Sequence, residues 1–419
     1  MYRWYALSIL ALTYIFSVMD RQIMSIVLEE LRAEFLLSDT QLGLLSGIAF
    51  ALFYATLGIP IARLADRWHR INIISIAVAL WSMATALCGA VSSFAQLFLA
   101  RVLVGVGEAG GSPPAHSVVS DYFERERRSF AMAIYSLGAT LGGVLGLVIG
   151  GFITEYYGWR WAFVVLGVPG ILLAVVVKTT VREPTRGLLD GAQGGGDRLG
   201  LFATVGALWS NLVYRRTVIA ATCSTLVGYA LFSWLAALYI RQFDLTPSVA
   251  GSIIGGLNLA CGLPGLMLGG YLADRLGRRD PRWRTRLPAL GLVGCFPLYV
   301  AAMWQDTYVS MSAFIGVGYV LYFINHAPPL AVIQIVVPPE MRAQAAAYAF
   351  FLSNIIGLGL GPVVVGYLSD VSAPVYGEAS LNFALTVVMF GLLPSIFWFW
   401  RASEAMRLNP EDVQRRVGQ

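Results

Sequence analysis

The tetrapeptide Leu-Ala-Asp-Arg occurs twice in the chain, at Leu64–Arg67 and at Leu272–Arg275, half a chain apart. Each copy sits where a long apolar run meets a cluster of arginines. Like charges at the ends of like apolar runs imply two copies of one unit, and runs of that length make it a membrane unit. Composition agrees. Of 419 residues, 57% are hydrophobic and 13% charged, against about 25% charged in an ordinary soluble domain. A soluble chain of this size would need far more polar surface. The net charge of +5 implies no nucleic-acid partner, because the arginines fall in short loops and form no basic face. Cys88, Cys223, Cys261 and Cys295 lie inside apolar runs without CxxC spacing, so they read as small packed hydrophobes. No metal site and no cofactor is expected. The first apolar run is too long for a signal-peptide core and carries Asp20-Arg21 in its interior, so no cleavable leader is expected.

Runs able to cross about 30 Å of hydrocarbon fall near 4–28, 40–65, 71–92, 95–119, 129–155 and 159–181, then near 217–240, 248–273, 286–303, 308–336, 343–369 and 380–402. The expected fold is an all-α membrane protein of twelve transmembrane helices in two pseudo-symmetric six-helix bundles. The expected domains are a first bundle at 1–181, a linker at 182–216, a second bundle at 217–402 and a tail at 403–419. Arginines crowd alternate loops (Arg67/Arg70, Arg125/Arg127/Arg128, Arg182 to Arg216, Arg275 to Arg284, Arg342), whereas Glu29, Glu30, Glu34 and Asp39 dominate the first loop of the other set. By the positive-inside bias both termini should be cytoplasmic. Within the linker, Leu199, Phe202, Val205 and Trp209 recur at near-helical spacing, which predicts a short amphipathic helix over 198–211 on the membrane surface.

The repeat extends further. Pro113-Pro114 matches Pro328-Pro329, and Gly142, Gly146 and Gly151 match Gly357, Gly361 and Gly366, all at one offset. Small residues at such spacing let helices approach closely. Internal repeats with a site between them are how many secondary transporters are built.

Gly270-Tyr-Leu-Ala-Asp274-Arg275-Leu-Gly277-Arg278-Arg279 resembles the signature loop of the major facilitator superfamily. The first copy departs from it, with Ala62 and His69 at glycine positions. Met19-Asp20-Arg21, Arg101-Val-Leu-Val-Gly-Val-Gly-Glu108, Gly158-Trp159-Arg160-Trp161 and Arg182-Glu183-Pro184 are similar to the spinster group of lipid transporters. That resemblance implies an amphiphilic, lipid-like substrate such as a lysolipid or sphingoid molecule, coupled to protons. It also implies a monomer in the inner membrane of a bacterium. An organic-anion/proton symporter of the same superfamily is the alternative, since its members share Asp-Arg in span 1.

Chemistry is expected at ionisable groups inside the spans. A charge at mid-bilayer costs about 2.5–3.5 kcal/mol even on lenient scales, so it persists only where paired or lining a polar cavity. Asp20 and Arg21 lie deep in span 1 and Glu108 near the middle of span 4. Burial favours a neutral carboxyl, and four glycines (Gly105, Gly107, Gly110, Gly111) flank Glu108. Glu108 is expected to carry the proton, with Arg21 holding its ionised form or an anionic headgroup and Asp20 tuning Arg21. A static network joining spans 1 and 4 is the competing reading. Arg101 either reaches the interface or lines the cavity. At the matching offset the second half has Leu235–Ala237 and Phe323, so coupling is expected in the first half alone.

Further substrate-lining candidates are Tyr14, Ser17, Tyr54, Tyr135, Phe232, Trp234, Asn325, His326 and Asn354. Asp66, Arg67, Arg70, Arg128, Asp274, Arg275, Arg278 and Arg342 are expected to form a cytoplasmic gate, the two carboxylates facing helix N-termini of the opposite half. An enzyme is not expected: GxSxG and HExxH are absent, and the three histidines are scattered. A channel would need pore symmetry or a selectivity loop. A non-transporting receptor stays open on sequence alone.

Overall fold

The computed structural model describes residues 1–65, 67–185, 201–338 and 341–406, which are helical throughout apart from short turns and loops and hold no strand. Among the described residues, eleven helical stretches are long and apolar enough to cross a bilayer. Spans 1 to 6 are Tyr2–Ile26, Asp39–Ala65, Arg70–Cys88, Phe94–Tyr122, Phe130–Tyr157 and Trp159–Thr180. Spans 7 to 10 are Leu212–Phe243, Pro247–Gly277, Trp283–Ala302 and Tyr308–Val336. The last stretch, Gln344–Ala405, has 62 residues, about three times what one crossing needs. It turns at Gly377–Ala379, entered by Gly377 at φ +54°, a conformation that only glycine adopts cheaply. It therefore supplies spans 11 and 12.

Contacts divide the chain into two compact units. Unit 1 is Met1–Gly195 with Phe232–Gly256, and unit 2 is Gly196–Leu231 with Leu257–Gln419. The division runs through spans 7 and 8.

In unit 1, span 1 packs along span 5 and span 3 along span 6. The repeat glycines cause the first of these contacts. A Cβ on Gly142 would strike the Ile15 carbonyl oxygen, and one on Gly146 would strike the Met19 backbone. In unit 2 the equivalent glycines do the same work: a Cβ on Gly357 would meet Thr225, and one on Gly361 the Leu226 carbonyl oxygen. Helices without side chains at the crossing gain dispersion contact in lipid, where no hydrophobic force drives association.

The proline pairs break their helices at equivalent places. Span 4 consists of Phe94–Glu108 and Ser112–Tyr122, with Pro113-Pro114 opening the second piece. Span 10 consists of Tyr308–Phe323 and Ala327–Val336, with Pro328-Pro329 opening its second piece. Proline has no N–H to give and its ring clashes with the carbonyl four residues back, so an adjacent pair of prolines is best placed in the first turn of a new helix. Glu108 ends the upper half of span 4, while Asn325 and His326 occupy the break in span 10. Unit 2 also carries π-helical stretches at Asn258–Gly262 and Ser353–Leu360.

In the linker the described helix is Leu201–Ser210. Leu208 packs against Tyr214, Val218 and Ile333, while Val205 and Trp209 are exposed on another face. Leu199 and the Phe202 side chain lie outside the described residues, as do Arg186, Arg198 and the tail from 407.

Candidate functional site

Spans 1 and 4 bring together the three charges that the sequence singled out. Glu108 Oε2 accepts hydrogen bonds from Ser17 Oγ at 2.6 Å, Arg21 Nε at 2.8 Å and Arg21 Nη2 at 2.6 Å. The Glu108 side chain is 0% exposed and Arg21 19%, so the pair is screened little by water. Such a pair is strongly coupled: removing one partner of a buried ion pair typically costs about 3–5 kcal/mol. Arg21 is further held by two rings, its guanidinium carbon lying 4.5 Å from the Tyr54 centroid and 4.9 Å from the Phe50 centroid. A cation over a desolvated ring gains about 2 kcal/mol.

Asp20, the neighbour of Arg21 in sequence, points elsewhere. Thr85 Oγ1 of span 3 donates to Asp20 Oδ2 at 3.0 Å, and the carboxylate is buried. Span 1 is thus joined to span 4 through Arg21 and to span 3 through Asp20. Two oxygens in this cluster, Asp20 Oδ1 and Glu108 Oε1, are buried without a hydrogen-bond donor.

Arg101 belongs to the same interior. It is 1% exposed, its guanidinium lies 5.7 Å from the Phe50 centroid, and Nε and Nη1 have no hydrogen-bond partner. Both Arg101 and Arg21 act electrostatically on Asp20. The interface-seeking alternative for Arg101 is excluded, because the side chain turns into unit 1 and is covered there. Asp20 and Glu108 against Arg21 and Arg101 form a cluster that is electrically balanced when both carboxyls are ionised.

The aromatic candidates divide. Tyr14 stacks on Tyr135 with centroids 4.8 Å apart and planes at 3°, and His116 meets Tyr135 edge-on at 5.1 Å. Tyr135 is 1% exposed, covered by that stack. Trp234 is 0% exposed and lies beneath Arg241, whose cation is 5.6 Å from its ring. Phe232 is half-buried, as is Asn354, which lies in the π-helical part of span 11.

Unit 2 has a polar cluster without charge. Asn325 Nδ2 donates to Ser224 Oγ at 3.0 Å, and the Tyr322 hydroxyl donates to the Ser224 carbonyl at 2.9 Å. Asn325 Oδ1 is buried and unsatisfied. His326 is exposed and stacks on Phe323 at 4.7 Å.

Of the expected gate residues, Asp66 lies outside the described residues. Arg67, Asp274, Arg275 and Arg278 are exposed, and Arg275 Nη1 donates to the Tyr271 hydroxyl. Arg128 Nη2 and Arg342 Nε donate to the carbonyls of Phe123 and Val337. Arg70 departs from expectation. It is 2% exposed and bonds Asp121, Glu183, Ser117 Oγ and the Pro184 carbonyl, all in unit 1. With its donors so engaged it ties the start of the linker to spans 3 and 4.

Sequence reading missed Thr85 and Phe50, since an isolated Thr or Phe in an apolar run carries no signal. It also missed Arg241, which bonds Glu29 and Asp39. Its signal was available: Arg241 is a cation at the end of a span away from the arginine-rich loops.

Known proteins bear on these features in the same sense. The family model described as Major Facilitator Superfamily matches residues 10–362. An MFS-type efflux pump of Mycolicibacterium smegmatis is 33% identical, over 96% of this chain and 93% of that one. A sphingosine-1-phosphate transporter of Danio rerio is 25% identical, over 92% of this chain and 81% of that protein. A bacterial homologue of the human lysosomal transporter spinster, solved inward-facing and unoccupied, superposes with a TM-score of 0.87 at 30% identity, covering 97% of this chain and 98% of that one. The twelve-span fold, the duplicated broken helices and these likenesses make the chain a membrane transporter, not an enzyme, and it belongs to the major facilitator superfamily, among its spinster-related members.

Proposed function

We propose that the protein is a proton-coupled secondary transporter that moves an amphiphilic, lipid-like molecule by alternating access, with Glu108 as the proton carrier. The observation that carries this reading is the asymmetry of the Glu108 carboxylate. Oε2 takes all three donors, while Oε1 is buried and bare. A proton arriving from water has a free oxygen to land on without displacing any hydrogen bond. A purely structural ion pair gains stability by saturating both oxygens, or by being replaced with apolar side chains.

Protonation then changes the charge of the cluster. Two carboxylates and two guanidiniums sum to zero, so one proton leaves the site cationic. Arg21 loses its counter-ion, and an anionic headgroup becomes its natural partner. Tyr54 and Tyr14, both part-exposed, offer apolar faces near it for an acyl chain. The likeness to a sphingosine-1-phosphate transporter supports a substrate of this class. The arginine-rich loops and both termini face the cytoplasm, the membrane is a bacterial inner membrane, and the working unit is a monomer.

The test is transport by the purified chain in liposomes under an imposed pH gradient, against a panel of lysolipids, sphingoid phosphates and small carboxylates. Glu108→Gln should abolish the dependence on the gradient in a protein that stays monodisperse. Unchanged coupling in that variant overturns the reading. Competition by small carboxylates alone, with long-chain amphiphiles inert, would replace the substrate class by organic anions.

A further inference from the structure

The end of span 7 and the start of span 8, Phe232–Gly256, belong to the same compact unit as spans 1 to 6. Two kinds of contact bind them there. Backbone meets backbone at glycines: a Cβ on Gly251 would strike the Leu147 carbonyl oxygen, and one on Gly151 the Pro247 carbonyl oxygen. Charge meets charge at Arg241. Its Nη1 and Nη2 donate to the two carboxylate oxygens of Asp39 at 2.8 and 2.7 Å, and its Nε donates to Glu29 Oε1 at 2.8 Å.

The sequence builds this ion pair locally. Asp39 opens the first helix of span 2 behind Ser38, whose hydroxyl and Gln41 form a capping box. That cap fixes the entry of the helix and so the position of its first-turn carboxylate. Glu29 lies in the first turn of Leu28–Phe35, the short helix that follows span 1. Arg32, on the same helix, stands 3.7 Å from Glu29 and 3.8 Å from Asp39. The Arg241 side chain is 14% exposed and Asp39 5%, so this is a desolvated, two-pronged pair and not a surface one. Planar forked recognition of a carboxylate is what a guanidinium does and an ammonium does not.

We infer that Arg241, Glu29 and Asp39 form a latch that fastens the ends of spans 7 and 8 to the loop after span 1, on the side away from the arginine-rich loops. The latch must open once in each transport cycle. This inference rests on the alternating-access reading above and gives it a residue-level closing device for one side. The glycine contacts bring the backbones together without interdigitated side chains, so parting them leaves no cavity to fill. The ion pair supplies the specific barrier to that parting.

The experiment places spin labels at Ala33 and Val249, both exposed, through noncanonical amino acids in the full chain in lipid nanodiscs, and reads the distance distribution. It uses neither substrate nor pH gradient, so loss of proton coupling in Glu108→Gln has no bearing on its outcome. Arg241→Gln and the double variant Glu29→Gln/Asp39→Asn should each raise the ratio of long to short distances by roughly tenfold, and the combined triple variant should do no more, because partners of one interaction are not additive. Distances unchanged in both variants, or effects that add in the triple, would overturn the latch.

Discussion

The two units share a backbone plan and differ in what they bury. In both, a proline pair restarts a broken helix, at Ser112–Tyr122 in span 4 and at Ala327–Val336 in span 10, and paired glycines bring two spans into backbone contact. Around its break unit 1 places two carboxylates and two guanidiniums, whereas unit 2 places Asn325, Tyr322 and Ser224, hydrogen-bonded and uncharged. A duplicated scaffold thus carries a titratable interior in one copy and a neutral one in the other. The contrast teaches that the repeat dictates where the chain can bend, while a few residues at mid-membrane dictate which copy carries buried charge.

Breaking the charged side should have the largest effect. Arg21→Ala strands Glu108 with only the Ser17 hydroxyl, so transport should fall by at least about a hundredfold and stability by about 3–5 kcal/mol, read by flux in liposomes and by thermal unfolding in detergent. On the neutral side, Asn325→Ala should cost about 1–3 kcal/mol, because it removes the donor to Ser224 Oγ, and should lower transport without altering its pH profile. An altered pH profile in Asn325→Ala would break the comparison. At the shared backbone positions the units should behave alike: Gly146→Ala and Gly361→Ala each force a Cβ against backbone and should each cost about 1–3 kcal/mol. A marked difference would show that only one unit depends on its glycine contact.

The smallest effect concerns Glu30, in the loop after span 1. Burial first, and then the neighbouring Glu29, push its carboxyl up to about 7 from an ordinary 4.5. The folded chain therefore holds this proton more tightly than the unfolded chain does. The stability so gained is fully present below about pH 4.5 and is lost as pH rises through about 7. Glu30→Gln should flatten the pH dependence of the melting temperature across that window. An unchanged slope would show that Glu30 is solvated.

The fold was legible because hydropathy, arginine placement and the Leu-Ala-Asp-Arg and proline-pair repeats all report bilayer physics, which acts along the chain. The centre of the candidate site was legible for the same reason, since Asp20, Arg21 and Glu108 are too costly in lipid to be incidental. What surrounds them was not. Thr85, Phe50 and Ser224 are ordinary residues of apolar runs, and only the packing of spans 1, 3, 4, 7 and 10 gives them partners. That Trp234 packs beneath Arg241 was not legible either, because composition says nothing of which ring a cation covers. Arg70 and Arg241 are arginines near membrane ends whose side chains are nonetheless largely withdrawn from water, at 2% and 14% exposure, and withdrawal is a three-dimensional property.

The most direct measurement is infrared difference spectroscopy of the chain in lipid as pH is lowered, following the carbonyl stretch of protonated carboxyls. In a Glu30→Gln background, which removes a carboxyl that protonates at about 7, a band should appear as pH falls through the neutral range, persist when Asp20→Asn is added and vanish when Glu108→Gln is added. A band of full intensity in Glu108→Gln would place the proton on another group and contradict the account.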